Sequence, residues 1–134
     1  MPASGINKAV YDVIEAYPPE VQSLALAARK LVRRVIPKAT EMVDSKSKVI
    51  GYGFGPGYKD MICSLMPART WVTLGIGWGA ELPDPQKLLE GTGKVHRHVK
   101  LRRESDLKAP ALEALLRAGL EQWRIRSKTA KARS

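Results

Sequence analysis

The sequence has few of the features that mark a secreted or membrane protein. Cys63 is the only cysteine, so no disulfide can form within the chain. No apolar run approaches the roughly 20 residues that a membrane-spanning helix needs. The first residues also do not combine a charged start, an apolar run and a small-residue cleavage site, as a secretory signal does. These absences predict a cytoplasmic protein that does not use a membrane as partner.

Acidic residues are also scarce. The chain has 13 Asp and Glu against 23 Lys and Arg, which gives a net charge of +10. The excess lies in two stretches, residues 94–103 and the residues after Glu121, each with five basic residues and no acid. Because clustered charge produces a local positive field, these stretches favour anionic partners.

Two helices are predicted at the start of the chain. Apolar residues from Ile6 to Tyr17 fall at helical spacing, and Pro18-Pro19 ends that segment. A second helix is expected from about Glu20 to Ile36. Its inward face is apolar and consists of Val21, Leu24, Ala28, Leu31, Val32 and Val35. Its basic residues are expected to be largely solvated, and they are Arg29, Lys30, Arg33 and Arg34.

The middle of the chain predicts strands, because β-branched and aromatic residues alternate there with glycine and proline. The predicted strands are Glu41 to Val43, Val49 to Phe54, Met61 to Leu65, Thr70 to Ile76 and Val95 to Arg102. Turns at Gly55-Pro56-Gly57 and Pro67-Ala68-Arg69 make the second to fourth strands an antiparallel meander. A short helix from Asp84-Pro85 through Leu89 precedes the last strand, and a final helix from about Pro110 to Trp123 follows it.

This order of elements predicts an α+β fold. Its two layers are a largely antiparallel sheet of about five strands and the N-terminal and C-terminal helices that pack on it. A single domain is expected over residues 1–126. Residues 127–134 are basic and lack apolar periodicity, so they are expected to form a disordered tail.

Three glycine-rich segments suggest phosphate-binding loops, because glycine lets a backbone approach an anion closely. Residues 51–57 and 75–79 are followed by more strand or turn, whereas a dinucleotide-binding loop leads directly into a helix. The sequence Gly91-Thr92-Gly93-Lys94 is followed by Val95 where a nucleotide-binding loop needs Ser or Thr for magnesium. These glycines therefore favour turns, bulges and close packing over phosphate binding.

The last predicted strand carries the most suggestive pattern. His96, His98, Lys100 and Arg102 are two residues apart and therefore lie on one face of the sheet. The candidate anion-binding residues are Lys94, His96, Arg97, His98, Lys100 and Arg102, with Arg97 on the opposite face. A metal pair is disfavoured, because neighbouring cations repel a divalent ion and no nearby acid or cysteine completes the set. An edge strand that uses charge against aggregation would show the same pattern.

Aromatic side chains among the glycines suggest a second kind of contact. Tyr52, Tyr58 and Trp78 are candidates for stacking on a base or ring if they share an exposed face. Residues of this kind are more often part of the core.

For catalysis, the sequence offers little. Cys63 lies within a predicted strand, where a buried structural thiol is expected. Glu81 or Asp84 could act with His98 as an acid–base pair, but Asp84 is placed to cap the short helix.

Four segments of the second half carry a family resemblance. They are Trp71-Val72-Thr73-Leu74-Gly75, Gly79-Ala80-Glu81-Leu82-Pro83-Asp84-Pro85, Leu88-Leu89-Glu90-Gly91-Thr92-Gly93-Lys94 and Arg97-His98-Val99. These segments resemble the YdhG-like domain family, whose function is largely unknown, and the resemblance extends over roughly Val21 to Ala118. It implies a small α+β domain grouped with the frataxin-like and YjbR-like folds, usually with no assigned enzyme activity.

The resemblance also implies an alternative function. Some YdhG-like members are described as intracellular iron chaperones similar to frataxin, and a weak ferrous site would need carboxylate oxygens. The acids available for it are Asp12, Glu15, Glu41 and Asp44. The net charge of +10 argues against such a site.

The sequence therefore favours a small, non-enzymatic binding domain. Its basic strand would meet an anionic small molecule, a nucleic acid or an acidic protein. A frataxin-like chaperone that binds ferrous iron transiently is the alternative, and an enzyme is the third hypothesis. No resident cofactor is expected, and the sequence leaves both a monomer and a homodimer open.

Overall fold

Two amphipathic helices open the fold. The computed structural model describes residues 8–55, 57–79, 82–84, 87–91 and 96–133. Helix α1 is Lys8–Ile14 and helix α2 is Pro19–Val35. Proline is accepted at the first position of α2 because its missing N–H would have no partner inside the helix. The predicted inward residues of α2 are all buried, which confirms that prediction.

Five antiparallel strands follow in chain order across one sheet. They are β1 (Thr40–Asp44), β2 (Val49–Gly53), β3 (Met61–Pro67), β4 (Val72–Ile76) and β5 (Arg97–Leu101). Each strand pairs with the next, so the predicted meander of the second to fourth strands is confirmed and extends to all five. Helix α3 (Pro110–Arg133) closes the fold. The α+β prediction is therefore confirmed.

One face of the sheet packs on the helices. Ile50, Leu65, Leu74 and Val99 are register partners in a single row across four strands, and all four are buried. Helices α2 and α3 contact each other and both contact β3. Buried side chains of all three helices and of this sheet face form one cluster. Burial of this apolar surface is the main force that holds the two layers together.

The C-terminal half of α3 is attached to the loops at one end of the sheet. The rings of Phe54 and Trp123 stack with centroids 4.2 Å apart, and the Trp123 indole N–H donates to Asp60 Oδ1 at 3.0 Å. Further along, the Arg126 guanidinium lies 4.5 Å from the centre of the Trp78 ring. Two of these contacts are made by Trp123, where the sequence predicts the end of the helix, and the third, at Arg126, holds the helix beyond that point.

Two predictions about local structure are wrong. The chain continues as helix to Arg133, although the sequence predicts a disordered tail from residue 127. Alanine, lysine and arginine are strong helix formers, and a helix already anchored at Arg126 needs only propagation to continue. The short helix expected through Leu89 is also absent from residues 87–91; Pro85 and Gln86 lie outside the described residues.

Instead of forming that helix, the segment before β5 covers part of its outer edge. The backbone N–H of Glu90 donates to the carbonyl of His98 at 2.6 Å, and the N–H of His98 donates to the carbonyl of Glu90 at 3.1 Å. This bridge satisfies ladder groups that an edge strand would otherwise expose. None of the helices within the described residues is long and apolar enough to cross a membrane.

Candidate anion-binding site

The face of the sheet opposite the helices presents the basic strand. Thr73 pairs with Lys100 and Gly75 pairs with His98, so these four residues share that face. Among the described elements, the helices pack on the other side. We call this surface the open face. Strands β3, β4 and β5 contain no acidic residue, so the charge of their side chains is positive or neutral.

Lys100 and Trp71 form one end of the candidate site. The Lys100 ammonium lies 5.0 Å from the centre of the Trp71 ring. The Trp71 indole N–H donates to the Thr73 hydroxyl at 3.0 Å, which fixes the ring beside the strand. A cation over an aromatic face gains about 0.5–1 kcal/mol at an exposed site. The contact therefore restrains the Lys100 side chain while its charge stays near the surface.

A cavity of about 370 Å³ occupies the other end of the open face. It extends along β3, over the end of β4 and against the start of β5. It is lined by Val49, Met61, Cys63, Ser64, Met66, Gly75, Ile76, Gly77, His96, Arg97 and His98. Most of these residues are apolar and none is acidic; the polar ones are Ser64 on β3 and His96, Arg97 and His98 at the start of β5. Its volume is at the lower end of the range for pockets that bind small molecules.

Gly75 forms part of the floor of this cavity. A Cβ atom at that position would lie 2.9 Å from Ser64 Oγ and 3.6 Å from Met66 Cε. A side chain there would therefore displace its neighbours and fill the cavity. The structural interpretation of this glycine segment, as a site of close packing, agrees with that geometry.

His96 is oriented by Trp78. The backbone N–H of Trp78 donates to His96 Nδ1 at 3.1 Å, and the two rings meet edge to face with centroids 6.2 Å apart. Trp78 has a φ of +60°, a left-handed conformation that is unusual for a large side chain. Strained backbone of this kind persists only where the surrounding structure holds it in place. It is found often at functional sites.

The structure brings together part of the predicted anion-binding set. His96, Arg97 and His98 line one cavity. The register pairs Arg97 with the buried Ile76, so Arg97 lies on the face opposite His98, as predicted. Lys100 lies on the same open face further along β5, as predicted. Arg102 is exposed beyond the end of the strand, where its backbone N–H donates to Asp106 Oδ2. Lys94 lies outside the described residues.

The stacking set is not brought together. Tyr52 is 1% exposed and belongs to the core, so its prediction as a stacking residue is wrong. Its hydroxyl donates to Glu41 Oε2 at 2.7 Å, and burial followed by this hydrogen bond raises the pKa of Tyr52. One face of the Trp78 ring is occupied by Arg126. The Tyr58 side chain is outside the described part of the structure.

Three of the four acids proposed for iron have other partners. Glu41 accepts hydrogen bonds from Arg29 Nε at 2.7 Å and Arg29 Nη2 at 2.9 Å, and Asp12 pairs with Lys8 at 3.3 Å. Asp44 accepts the backbone N–H of Ser47 at 3.0 Å. Glu15 is exposed. No group of three or more His, Cys, Asp or Glu side chains that could hold a metal occurs within the described residues.

The position of Arg29 corrects a further prediction. Its side chain was expected to be largely solvated, but the residue is only 7% exposed. Burial by itself would raise the pKa of Glu41. The hydrogen bonds from Arg29 and Tyr52 outweigh that effect, so the pKa of Glu41 is below its usual value. This buried pair joins α2 to β1.

The groups considered for catalysis have structural roles. The Asp84 carboxylate accepts the backbone N–H groups of Leu88 and Leu89, each at 2.9 Å. Cys63 is buried, and burial raises the pKa of its thiol to about 12, so it is held as the unreactive thiol, as the sequence predicts. Glu81 lies outside the described residues.

A larger groove, of about 770 Å³, lies on the helical side of the molecule between the end of α2 and α3. Two of its cations already have acidic partners. Arg117 pairs with Glu113 at 3.0 Å and Arg124 pairs with Glu121 at 3.5 Å. Because these neighbouring carboxylates offset the positive charge, the open face is the better candidate for an anion despite its smaller cavity.

Sequence reasoning missed the residues of β3 and the Trp71 contact in this site. Met61, Ser64 and Met66 line the cavity, and Trp71 contacts Lys100. The two-residue alternation of β4 was a usable signal, since Trp71, Thr73 and Gly75 follow one another on the face opposite the buried Val72 and Leu74.

Comparison with known proteins adds no relative to this description. No family model matches the chain, and neither a curated protein nor a solved structure matches it. The resemblance to the YdhG-like family therefore stays a prediction from the sequence.

Proposed function

We propose that this chain is a binding domain that recognises anionic ligands through strand β5 on the open face of its sheet. The observation that supports this most is the arrangement of His98 and Lys100 on one face, with His96 beside them and no acidic residue on β3, β4 or β5. Histidine and lysine donate to phosphate and carboxylate oxygens. The strands themselves contribute no competing carboxylate, and the acidic neighbour of this row is the exposed Glu90, the bridge partner of His98.

The long α3 helix adds to the positive field. Arg124, Arg126 and Lys128 follow Glu121 without an intervening acid. Such a field increases the rate at which anions reach a protein, and it weakens as salt rises. Within the proposal, β5 supplies the contacts and α3 contributes at longer range.

The proposal is tested by the salt dependence of binding to a labelled oligodeoxythymidylate, a single-stranded polyanion with no base pairing. Binding is measured by fluorescence anisotropy at several salt concentrations. Changing Lys100 and Arg102 together to Ala should weaken binding and reduce the slope of log K against log salt by about 1.4, if both contact phosphates. The matched control changes Lys30 and Lys46, two exposed lysines outside strands β3, β4 and β5, and loses the same charge.

The two pairs of substitutions separate a site from a general field. The proposal expects the Lys100 and Arg102 variant to lose much more affinity than the Lys30 and Lys46 variant. Equal losses would mean that only net charge matters, and the proposed site would be wrong. Binding that does not change with salt would also contradict it.

The alternative of an iron chaperone receives less support. Glu41 is engaged by Arg29 and Tyr52, and Asp12 is paired with Lys8. A ferrous ion would have to displace those partners before it could use these carboxylates.

A further inference from the structure

The open face ends at a tryptophan that lies outside the hydrophobic core. Trp71 is half-buried. Among the residues that the structure describes, it belongs neither to the core cluster nor to the partly buried apolar residues that pack against that cluster, whereas Trp123 does. We propose that the open face binds single-stranded nucleic acid, with one base stacked on the Trp71 ring and a neighbouring phosphate at Lys100. This inference rests on the proposed function and narrows it to one kind of polyanion.

The Trp71 ring is held in place by its own hairpin. Its indole N–H donates to the Thr73 hydroxyl at 3.0 Å, and its carbonyl accepts the backbone N–H of Ala68 at 2.8 Å. The one polar atom of the side chain is therefore satisfied within the protein, and what the ring offers to a ligand is its flat apolar face. Such a face recognises a base by stacking. Because the ring is already ordered, stacking on it costs little conformational freedom.

Lys100 covers this ring with a contact that a base can replace. Thr73 pairs with Lys100 across the sheet, and the Lys100 ammonium lies 5.0 Å from the centre of the Trp71 ring. A cation–π contact near the protein surface is weaker than the stacking of a base on an aromatic side chain. A base therefore takes the place of Lys100 over the ring, and the released ammonium pairs with a phosphate of the same strand. The stacking surface and the cation thus lie side by side before any ligand arrives.

Further basic side chains lie on the two segments that flank this pair. They are the exposed Arg69, Arg102 and Arg103. Two acids follow on the second segment, Glu104 and Asp106. The Asp106 carboxylate accepts the backbone N–H groups of Arg102 and Arg103 at 2.8 and 3.2 Å. With Lys100 included, four cations stand against two acids, so the charge around the ring stays positive.

A ring beside cations selects among polyanions. An acidic peptide supplies carboxylates but no flat ring for Trp71. A duplex keeps its bases stacked on one another, so a side chain cannot reach their flat faces without unstacking them. A single strand presents phosphates and unstacked bases together, and aromatic side chains within a basic surface bind both. Because every base has a flat face, the contact at Trp71 carries little preference for sequence.

The test compares two labelled oligomers of equal length, oligodeoxythymidylate and an abasic oligomer that has the same sugars and phosphates without bases. Fluorescence anisotropy gives the affinity of the full chain for each. Oligodeoxythymidylate should bind at least about fivefold more tightly, because stacking adds to the phosphate contacts. In NMR spectra, the indole N–H signal of Trp71 should shift when oligodeoxythymidylate is added, and that of Trp123 should not.

Four variants make the test specific. Trp71→Ala should lower the affinity for oligodeoxythymidylate to that of the abasic oligomer, while the abasic affinity changes by less than about twofold and so shows that the variant is folded. Trp71→Phe keeps an aromatic face and should retain part of the difference. Lys100→Ala should weaken both oligomers and reduce the slope of log K against log salt by about 0.7 for each. The matched control is Tyr17→Ala, a half-buried aromatic between α1 and α2, which should change neither affinity.

The outcomes distinguish this inference from the function on which it rests. If the two oligomers bind equally and both depend on Lys100, the stacking site is wrong and the anion-binding face stands. Equal losses for the two oligomers in Trp71→Ala would also overturn the stacking site. An oligoglutamate of equal charge that binds as tightly as oligodeoxythymidylate would assign the face to acidic protein segments instead. If neither oligomer binds, both proposals fail.

Discussion

The Arg29 guanidinium donates two hydrogen bonds to the Glu41 carboxylate, from Nε at 2.7 Å and from Nη2 at 2.9 Å. Their side chains are 8% and 12% exposed. Tyr52 adds a third hydrogen bond to the same carboxylate. Each of these two buried charges is therefore stabilised by the other. The ion pair joins α2 to the edge strand β1.

Removal of one partner should destabilise the fold strongly. Arg29→Met leaves Glu41 as a buried charge without its counterion and should lower the free energy of unfolding by about 3 kcal/mol. The double variant Arg29→Met with Glu41→Leu should recover a substantial part of that loss. Urea denaturation of the two single variants and the double variant gives the coupling energy. Losses that simply add would contradict a direct interaction.

Glu41 also predicts how stability depends on pH. Because its pKa is lowered in the folded state, Glu41 contributes stability that is fully present above its unfolded pKa of about 4.3. That contribution is lost as the pH falls from there through the folded pKa. Urea denaturation between about pH 6 and pH 3 should therefore show a decline that is shallower in Glu41→Gln. Equal slopes in both proteins would mean that Glu41 is not the group responsible.

The burial of Arg29 was predictable from the sequence, but its pairing with Glu41 was not. Arg29 lies on the same helical stripe as Ala25, Ala28 and Val32, so its burial follows from helical spacing once its charge is disregarded. Its partner Glu41 lies 12 residues further on, in a strand. The pairing of Glu41 with Tyr52 depends on the register between β1 and β2, and alternation within a strand does not reveal it.

The sequence predicts the basic row of the open face but not the cavity beside it. The spacing of His98 and Lys100 fixes their common face, and the meander follows from the turns. The cavity requires Met61 and Ser64 of β3 to lie near His96, which precedes β5. That proximity depends on two strand registers and on the turn at Trp78, whose positive φ no local pattern of the sequence indicates.

The contacts of Trp123 predict that the C-terminal half of α3 contributes to the stability of the domain. Trp123→Ala removes the stack on Phe54 and the hydrogen bond to Asp60, and should cost about 3 kcal/mol of stability. Trp123→Phe retains most of the packing and should cost about 1 kcal/mol. The control is Ile125→Ala, a 53% exposed position on the same helix, with a loss below about 0.5 kcal/mol. Thermal unfolding measures all three, and similar losses for the two alanine variants would contradict the anchoring.

Cys63 should be protected from thiol reagents in the folded protein. Burial raises its pKa to about 12, so at pH 8 almost none of it is the reactive thiolate. Reaction with a disulfide reagent should be slow in buffer and fast in urea, where the chain is unfolded. The reaction rate is measured from the coloured thiolate that the reagent releases. Fast reaction of the native protein would mean that the strand carrying Cys63 opens readily.

The measurement that tests the anion-binding face most directly is an amide-resolved NMR titration of the full chain with oligodeoxythymidylate. The molecule offers two basic surfaces, strand β5 and the end of helix α3, and the amide shifts tell them apart. We expect the largest shifts at Thr73, Gly75, His98 and Lys100, with small changes on α3. Shifts concentrated at Arg124, Arg126 and Lys128, with β5 unchanged, would place the anion on the helix and contradict the proposed function.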